Sequence, residues 1–158
     1  MDGATSLTGR AIAWIIGLPK TAADVPVTVE MHADASGETW TRRFGTATFR
    51  SRLAPARGRR AHVTERFGPL TFDLALTATD AGLELDIAGG RIGPLPLPRF
   101  LLPRSHASER VDASGRFCFD VPVSFPGIGR VVHYRGWLVP SAASEPVDTA
   151  YAAPVAAK

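Results

Sequence analysis

Near the end of the chain, a histidine, an arginine and a tryptophan alternate along one predicted strand: His133, Arg135 and Trp137. Alternate residues of a strand point to the same face of the sheet, so these three side chains share a side. If that side faces a barrel interior, they supply an imidazole that titrates near neutral pH, a cation and an aromatic wall. Such a set can orient an anionic or carbonyl-bearing ligand.

The alternative is that the same three side chains lie on an outer face. Arg135 would then pair with Glu65 or Glu109, and Trp137 would cover a sheet edge. The residue pattern leaves both interpretations open. An enzyme hypothesis depends on the first, because it requires His133 to work with Arg135 or a buried carboxylate as an acid–base pair within a cavity.

Charged residues inside other predicted strands form a second set of candidates. Glu65, Arg66, Glu109 and Asp120 each lie within a predicted strand. An inward-pointing charge is costly unless it is paired, so any of the four that faces the interior is either paired or functional. From these two sets we take six candidate ligand-binding residues, which are Glu65, Arg66, Glu109, His133, Arg135 and Trp137.

The sequence lacks the patterns that indicate metal or covalent chemistry. Its four histidines are scattered singly, without the short spacings of common metal sites. The one cysteine, Cys118, lies between two phenylalanines, which is typical of a small, inert residue. We therefore predict no metal site and no cofactor.

A run of seven arginines between Glu38 and Glu65 contains no acidic residue. An anionic partner such as nucleic acid or a membrane headgroup would suit this run. However, no aromatic residue interleaves the loop at residues 57–60, and the net charge of the chain is only +3. We interpret the run as a solvated hairpin tip and expect no nucleic-acid partner. Its members are Arg42, Arg43, Arg50, Arg52, Arg57, Arg59 and Arg60.

The elements that must position all these side chains are strands. Apolar and polar residues alternate with a period of two from Val25 onward, most regularly in residues 70–78 and 117–125. Turn residues separate about nine such runs. Nine antiparallel strands in succession accumulate twist and leave exposed edges in an open sheet. We therefore predict a mainly β fold, an antiparallel up-and-down meander that forms a barrel or half-barrel.

Two segments flank this meander. Residues 1–20 are predicted to contain one helix, Thr5–Gly17, that flanks the sheet or docks on a partner or a membrane. Residues 141–158 are predicted to form a disordered tail. The barrel-like domain then occupies residues 21–140. The apolar segment Ala11–Leu18 is too short to span a bilayer and lacks a cleavage pattern, so we expect a cytoplasmic protein without a membrane span.

The segment Gly89–Pro103, called the proline segment below, differs from the rest of the meander. It contains four prolines and six large apolar residues. Proline has no backbone N–H to donate, so this segment is not expected to be a central strand. An apolar segment stiffened by proline must cover something apolar, and we expect either a lid over the open end of the barrel or a surface for another protein.

Several strings of residues carry a family resemblance. Arg43-Phe44-Gly45 and Arg66-Phe67-Gly68 begin a short internal repeat, which we interpret as two equivalent strand corners. With PLPLPRFLLP in the proline segment and the closing GRFCFDVPVSFPGIG and VVHYRGWL, the chain resembles the uncharacterised bacterial family called domain of unknown function 4166. The resemblance covers residues 42–138.

This resemblance implies no known activity and no assigned catalytic residue. Members of the family occur alone or on the C-terminal side of reductases that are similar to saccharopine dehydrogenase and have dinucleotide-binding folds. The present chain has no Gly-x-Gly-x-x-Gly after a predicted strand. The resemblance therefore implies a reductase-like protein as a partner and strengthens the prediction of the fold.

Three functional hypotheses follow. The first, which we favour, is the binding of a small, largely apolar ligand in a β-barrel pocket with the proline segment as its lid. The second is a protein-interaction module that docks on a reductase-like enzyme through the proline segment and the N-terminal helix. The third is an enzyme with an acid–base site around His133 and Arg135.

Overall fold

The computed structural model describes residues 2–3 and 26–141 of the 158-residue chain. The predicted helix and the tail beyond Ser141 lie outside the described residues. Within them, eleven strands form one antiparallel sheet in the order β1-β11-β10-β9-β7-β6-β5-β4-β3-β2, with β8 beside β7. The strands are β1 (Asp2–Gly3), β2 (Val27–Asp34), β3 (Gly37–Phe44), β4 (Ala47–Pro55), β5 (His62–Phe67), β6 (Leu70–Thr79), β7 (Gly82–Ile92), β8 (Leu95–Pro96), β9 (His106–Val111), β10 (Phe117–Phe125) and β11 (Gly129–Leu138).

Nine of these strands are six residues long or more, and they follow one another as a meander. The meander curls into a half-barrel. In the described part of the chain, the edge strand β2 does not pair with the opposite edge, where the short β1 lies beside β11. The half-barrel form of the prediction is therefore confirmed.

The register of strand pairing sorts the side chains into two faces. Phe119 of β10 lies opposite Glu109 of β9 and Gly136 of β11, so these positions share one face. The same face takes most of the buried apolar side chains, because curling brings its residues together and removes them from water. Val131, which is 1% exposed, lies instead at the irregularity in the register between β10 and β11. This concave face carries Phe49, Phe72, Leu74, Ala107 and Val132 as its buried hydrophobic residues.

The internal repeat forms two equivalent corners of this face, as predicted. Gly45 and Gly68 each begin a two-residue hairpin turn with a φ of 56°, a conformation that glycine adopts without steric cost. The ring of Phe67 stacks on that of Phe49 at 5.2 Å and lies 6.1 Å from that of Phe72. The corners thus place an aromatic row along the concave face.

The prediction that the meander breaks at Gly89 was wrong by four residues. Gly89–Ile92 continue β7 and pair with β6, after a register shift between Asp73 and Leu74. Gly90 lets Leu102 and Phe72 approach the strand closely, because a Cβ there would lie 3.0 Å from Leu102 and 3.1 Å from Phe72. The prolines take effect after Ile92, where the chain forms the short β8 and a 3₁₀ helix at Arg99–Leu101.

Candidate functional site

The six residues selected from the sequence are divided between the two faces. Glu65 and Glu109 lie on the concave face, because their partners Phe72 and Phe119 are part of its aromatic lining. The other four lie on the convex face, where strand alternation places them opposite in direction to their apolar neighbours. These four are Arg66, His133, Arg135 and Trp137.

An arginine is the centre of the polar groups on the concave face. Arg42 donates a hydrogen bond from Nη1 to Oγ of Ser51 at 2.8 Å and lies 3.5 Å from Oε1 of Glu65 through Nη2. Its guanidinium also stacks over two aromatic rings, at 4.9 Å from the centroid of Trp40 and 5.8 Å from that of Phe49. The apolar and aromatic surroundings strengthen the ion pair because they exclude water.

The two carboxyl groups on the concave face have a higher pKa than ordinary glutamates. Burial raises the pKa of Glu65, while Arg42 and Ser51 act in the opposite direction. Burial also raises the pKa of Glu109, and the charge of Glu65 raises it further. In the described residues, Glu109 makes no hydrogen bond or ion pair, so its carboxyl group is available to another molecule.

Tyr134 is a further polar residue on the concave face, and it lies on β11, far from β3 and β5 in the strand order. Burial, followed by the charges of Glu65 and Glu109, raises the pKa of the phenol to about 12. β11 and β5 are five strand spacings apart in the sheet, which is about 24 Å if the sheet were flat. Tyr134 is nonetheless close enough to Glu65 and Arg42 for their charges to act on its pKa, so the curl brings opposite strands to one place.

We call Arg42, Glu65, Glu109 and Tyr134 the inner cluster. Its members come from β3, β5, β9 and β11, and they are surrounded by apolar and aromatic side chains of the concave face. The ring of Phe119 packs 6.1 Å from that of Tyr134. An apolar surface with a few convergent polar groups of shifted pKa is typical of a binding site for small molecules.

The convex face is built from exposed charge pairs. Arg43 pairs with Glu30, Arg52 with Asp34, and Arg59 with Asp73, which also accepts a hydrogen bond from His62. The predicted basic run is therefore divided: Arg42 points inward, three of its members are paired with carboxylates, and the rest are exposed without an ion pair in the described chain.

His133 has a partner on the convex face. Its Nε2 lies 2.8 Å from Oδ1 of Asp120, and the sheet separates it from Glu65 and Glu109. Arg135 is exposed and forms no ion pair within the described residues, so it does not pair with either glutamate. Trp137 is 55% exposed, and the guanidinium of Arg116 stacks over its ring at 5.0 Å.

A shallow groove of about 610 Å³ lies where the proline segment meets β7, β9 and β10. Asp86 and His106 line it, joined by a 2.9 Å hydrogen bond, together with Arg99 and Arg104. Neither His133 nor Arg135 lines this groove. Among residues 26–141, no three histidine, cysteine, aspartate or glutamate side chains are grouped as metal ligands would be.

The proline segment partly covers the concave face. Leu97 and Leu102 lie close to Gly90 and Phe72, and the Leu97 N–H donates to the carbonyl of Gly90 at 2.8 Å. Pro103 is buried as well. One side of the segment is therefore packed against the sheet.

Sequence reasoning missed two members of the inner cluster. Tyr134 was not among the predicted candidates, which included its neighbours His133 and Arg135 on the opposite face of the strand. Arg42 was assigned to the basic run, although Trp40, Arg42 and Phe44 alternate on one strand face. A charged residue between two aromatic residues at a spacing of two was the signal that could have identified Arg42 as inward-facing.

These observations define a mainly β half-barrel whose concave face carries a buried polar cluster. The sequence model described as "Domain of unknown function (DUF4166)" matches residues 2–138, and the chain belongs to this family. No curated protein and no solved structure matches the chain. In the part of the chain that the structure describes, no helix is long and apolar enough to cross a membrane.

Proposed function

We propose that this protein binds a small, largely apolar ligand on the concave face, with the polar end of the ligand at the inner cluster. The observation that carries this proposal is the convergence of four polar groups from four strands on one aromatic, apolar surface. Glu109 and the phenol of Tyr134 make no hydrogen bond with other described residues, which leaves them able to bind a ligand.

The charges of the inner cluster favour a neutral polar end over an anionic one. Arg42 is already engaged by Ser51 and Glu65, so it offers little to a second anion. Glu65 and Glu109 would repel a carboxylate when they are ionised, and when protonated they donate hydrogen bonds to a hydroxyl or carbonyl oxygen. A hydroxyl or carbonyl group is therefore the best match.

Trp40 provides a reporter because its ring lies over Arg42. In the double variant Trp14→Phe/Trp137→Phe, Trp40 is excited and its excitation energy is transferred to the neutral apolar probe N-phenyl-1-naphthylamine when the probe binds nearby. We expect this energy transfer to saturate as the probe concentration rises. Unlabelled 1-decanol should displace the probe, and decanoate should displace it less well at neutral pH. A matched variant, Trp40→Phe in the Trp14→Phe background, retains Trp137 on the convex face as its one tryptophan and should give weaker transfer.

Tyr134→Phe removes one oxygen from the inner cluster and retains the ring. We expect it to weaken displacement by 1-decanol about tenfold, the effect of one lost hydrogen bond, and to leave the probe affinity unchanged. Absence of saturable transfer, or equal transfer in Trp40→Phe, would contradict the proposal.

The acid–base alternative has less geometric support, because the sheet separates His133 from the buried carboxylates. A cytoplasmic location and a reductase-like partner stay predictions.

A further inference from the structure

The outward side of the proline segment carries a group of exposed apolar side chains, which we call the tip. The exposed fraction is 71% for Phe100, 69% for Leu95, 49% for Leu101 and 46% for Ile92. The neighbouring Leu97 and Leu102 face the sheet instead. Four large exposed apolar side chains within ten residues are typical of an interaction site.

The backbone holds the tip in place. β8 pairs with β7, and Arg104 and Ser124 exchange two backbone hydrogen bonds of 2.7 and 2.9 Å. Four prolines restrict the chain between these anchors. The side chains of the tip are therefore presented by an ordered backbone, so that docking costs little additional conformational entropy.

The charges within the segment that carries the tip are of one sign. Arg91, Arg99 and Arg104 are exposed and form no ion pair in the described chain, and no acidic residue occurs from position 87 to 108. Elsewhere on the convex face, arginines such as Arg43, Arg52 and Arg59 have carboxylate partners. The tip is thus a small apolar group on a segment whose three arginines have no carboxylate partner. The nearby Asp86, in the groove that Arg99 and Arg104 also line, is hydrogen-bonded to His106.

We propose that the tip docks on the surface of a membrane that contains anionic lipids. Phe100 and Leu95 would enter the boundary between headgroups and acyl chains, and the three arginines would contact lipid phosphates. The prolines favour this environment, because proline leaves no backbone N–H that would lose its hydrogen bond to water. A protein partner would instead be expected to meet a rim of mixed polar groups.

This inference does not rest on the proposed ligand site, although the two are close in space. Leu97 and Leu102 of the same segment lie close to Phe72 on the concave face. A docked tip would therefore hold one end of the half-barrel against the lipid surface. Apolar molecules dissolved in the membrane would then be near the concave face.

The test is sedimentation of the full chain with vesicles of phosphatidylcholine alone or of phosphatidylcholine and phosphatidylglycerol at three to one. We expect binding to the anionic vesicles that weakens with salt. Arg99→Gln/Arg104→Gln and Leu95→Ser/Phe100→Ser should each weaken it by about tenfold or more. Circular dichroism checks that the variants are folded.

Matched controls carry the same changes elsewhere. Arg50→Gln/Arg57→Gln removes two exposed arginines without ion pairs, and Val111→Ser changes an apolar residue that is 68% exposed. Both should bind anionic vesicles as the unmodified chain does. No binding to anionic vesicles, or an equal loss in the controls, overturns the proposal. So does self-association in solution that Leu95→Ser/Phe100→Ser abolishes while vesicle binding is unchanged, because the tip would then be a protein contact.

Discussion

The concave and convex faces of the half-barrel use the same charged residue types in opposite ways. On the concave face, burial raises the pKa of Glu65 and Glu109. On the convex face, a hydrogen bond from Arg43 lowers the pKa of Glu30, and one from Arg52 lowers that of Asp34. The pKa of a carboxyl group rises where desolvation has the larger effect and falls where a hydrogen bond from an arginine has the larger effect.

The difference separates two roles for charge. Exposed pairs on the convex face keep the surface hydrated and add little to stability, because water screens them. The inner cluster places charge where it is costly, so a stable fold retains it only with compensation from Arg42 and Ser51. This contrast can be tested by making the same change on each face.

The largest expected effect comes from removing a concave ring. Phe72→Ala should lower the free energy of unfolding by about 3–5 kcal/mol, because it leaves a cavity between Phe67 and Gly90. Trp137→Ala, on the convex face, should cost about 1 kcal/mol through its contact with Arg116. Urea unfolding measures both. Equal losses would show that the two faces do not differ in packing.

The next largest effect comes from the buried ion pair. Arg42→Met should lower the free energy of unfolding by roughly 3 kcal/mol at neutral pH, because Glu65 is left without a cation in an apolar environment. The loss should shrink as the pH falls and Glu65 becomes protonated. The matched change Arg43→Met breaks the exposed pair with Glu30 and should alter stability little. If Arg43→Met proved as harmful, the contrast between the faces would be wrong.

Replacement of Glu109 is expected to raise the free energy of unfolding, whereas the two preceding changes lower it. Its folded pKa is raised above the unfolded value, so the folded protein binds the proton more tightly and loses stability as the pH rises through this window. Glu109→Gln removes the cost of ionisation and should stabilise the protein on the order of 1 kcal/mol at neutral pH. Unfolding at several pH values should show this gain vanishing below the ordinary pKa of glutamate. A gain that persists in acid would exclude ionisation as its cause.

The smallest effect is expected at His106 on the convex face. A hydrogen bond to Asp86 raises the pKa of this exposed imidazole. The stabilisation by this hydrogen bond is therefore fully present below the pKa of His106 in the unfolded protein. It is lost as the pH rises through the pKa of His106 in the folded protein. NMR titration should show Asp86→Asn returning the pKa of His106 toward its ordinary value, with a small change in stability. An unchanged titration would show that Asp86 is not the cause.

The sequence identified the strands and their alternation well, because a period of two is a local property. It also identified the equivalent corners at Gly45 and Gly68, where identical residue types recur. The end of β7 was harder, because the close approach of Leu102 to Gly90 is a tertiary contact that no local pattern reports.

By itself, the sequence determined that the chain forms a mainly β meander and that Glu65 and Glu109 lie within strands. It did not decide whether His133 or Tyr134 faces inward, because alternation separates two faces without saying which becomes concave. Only the curl of the sheet decided that, and it brought Arg42, Glu65, Glu109 and Tyr134 together. Residues from β3 and β11 can influence one another only after folding, because their proximity comes from accumulated twist across the whole sheet.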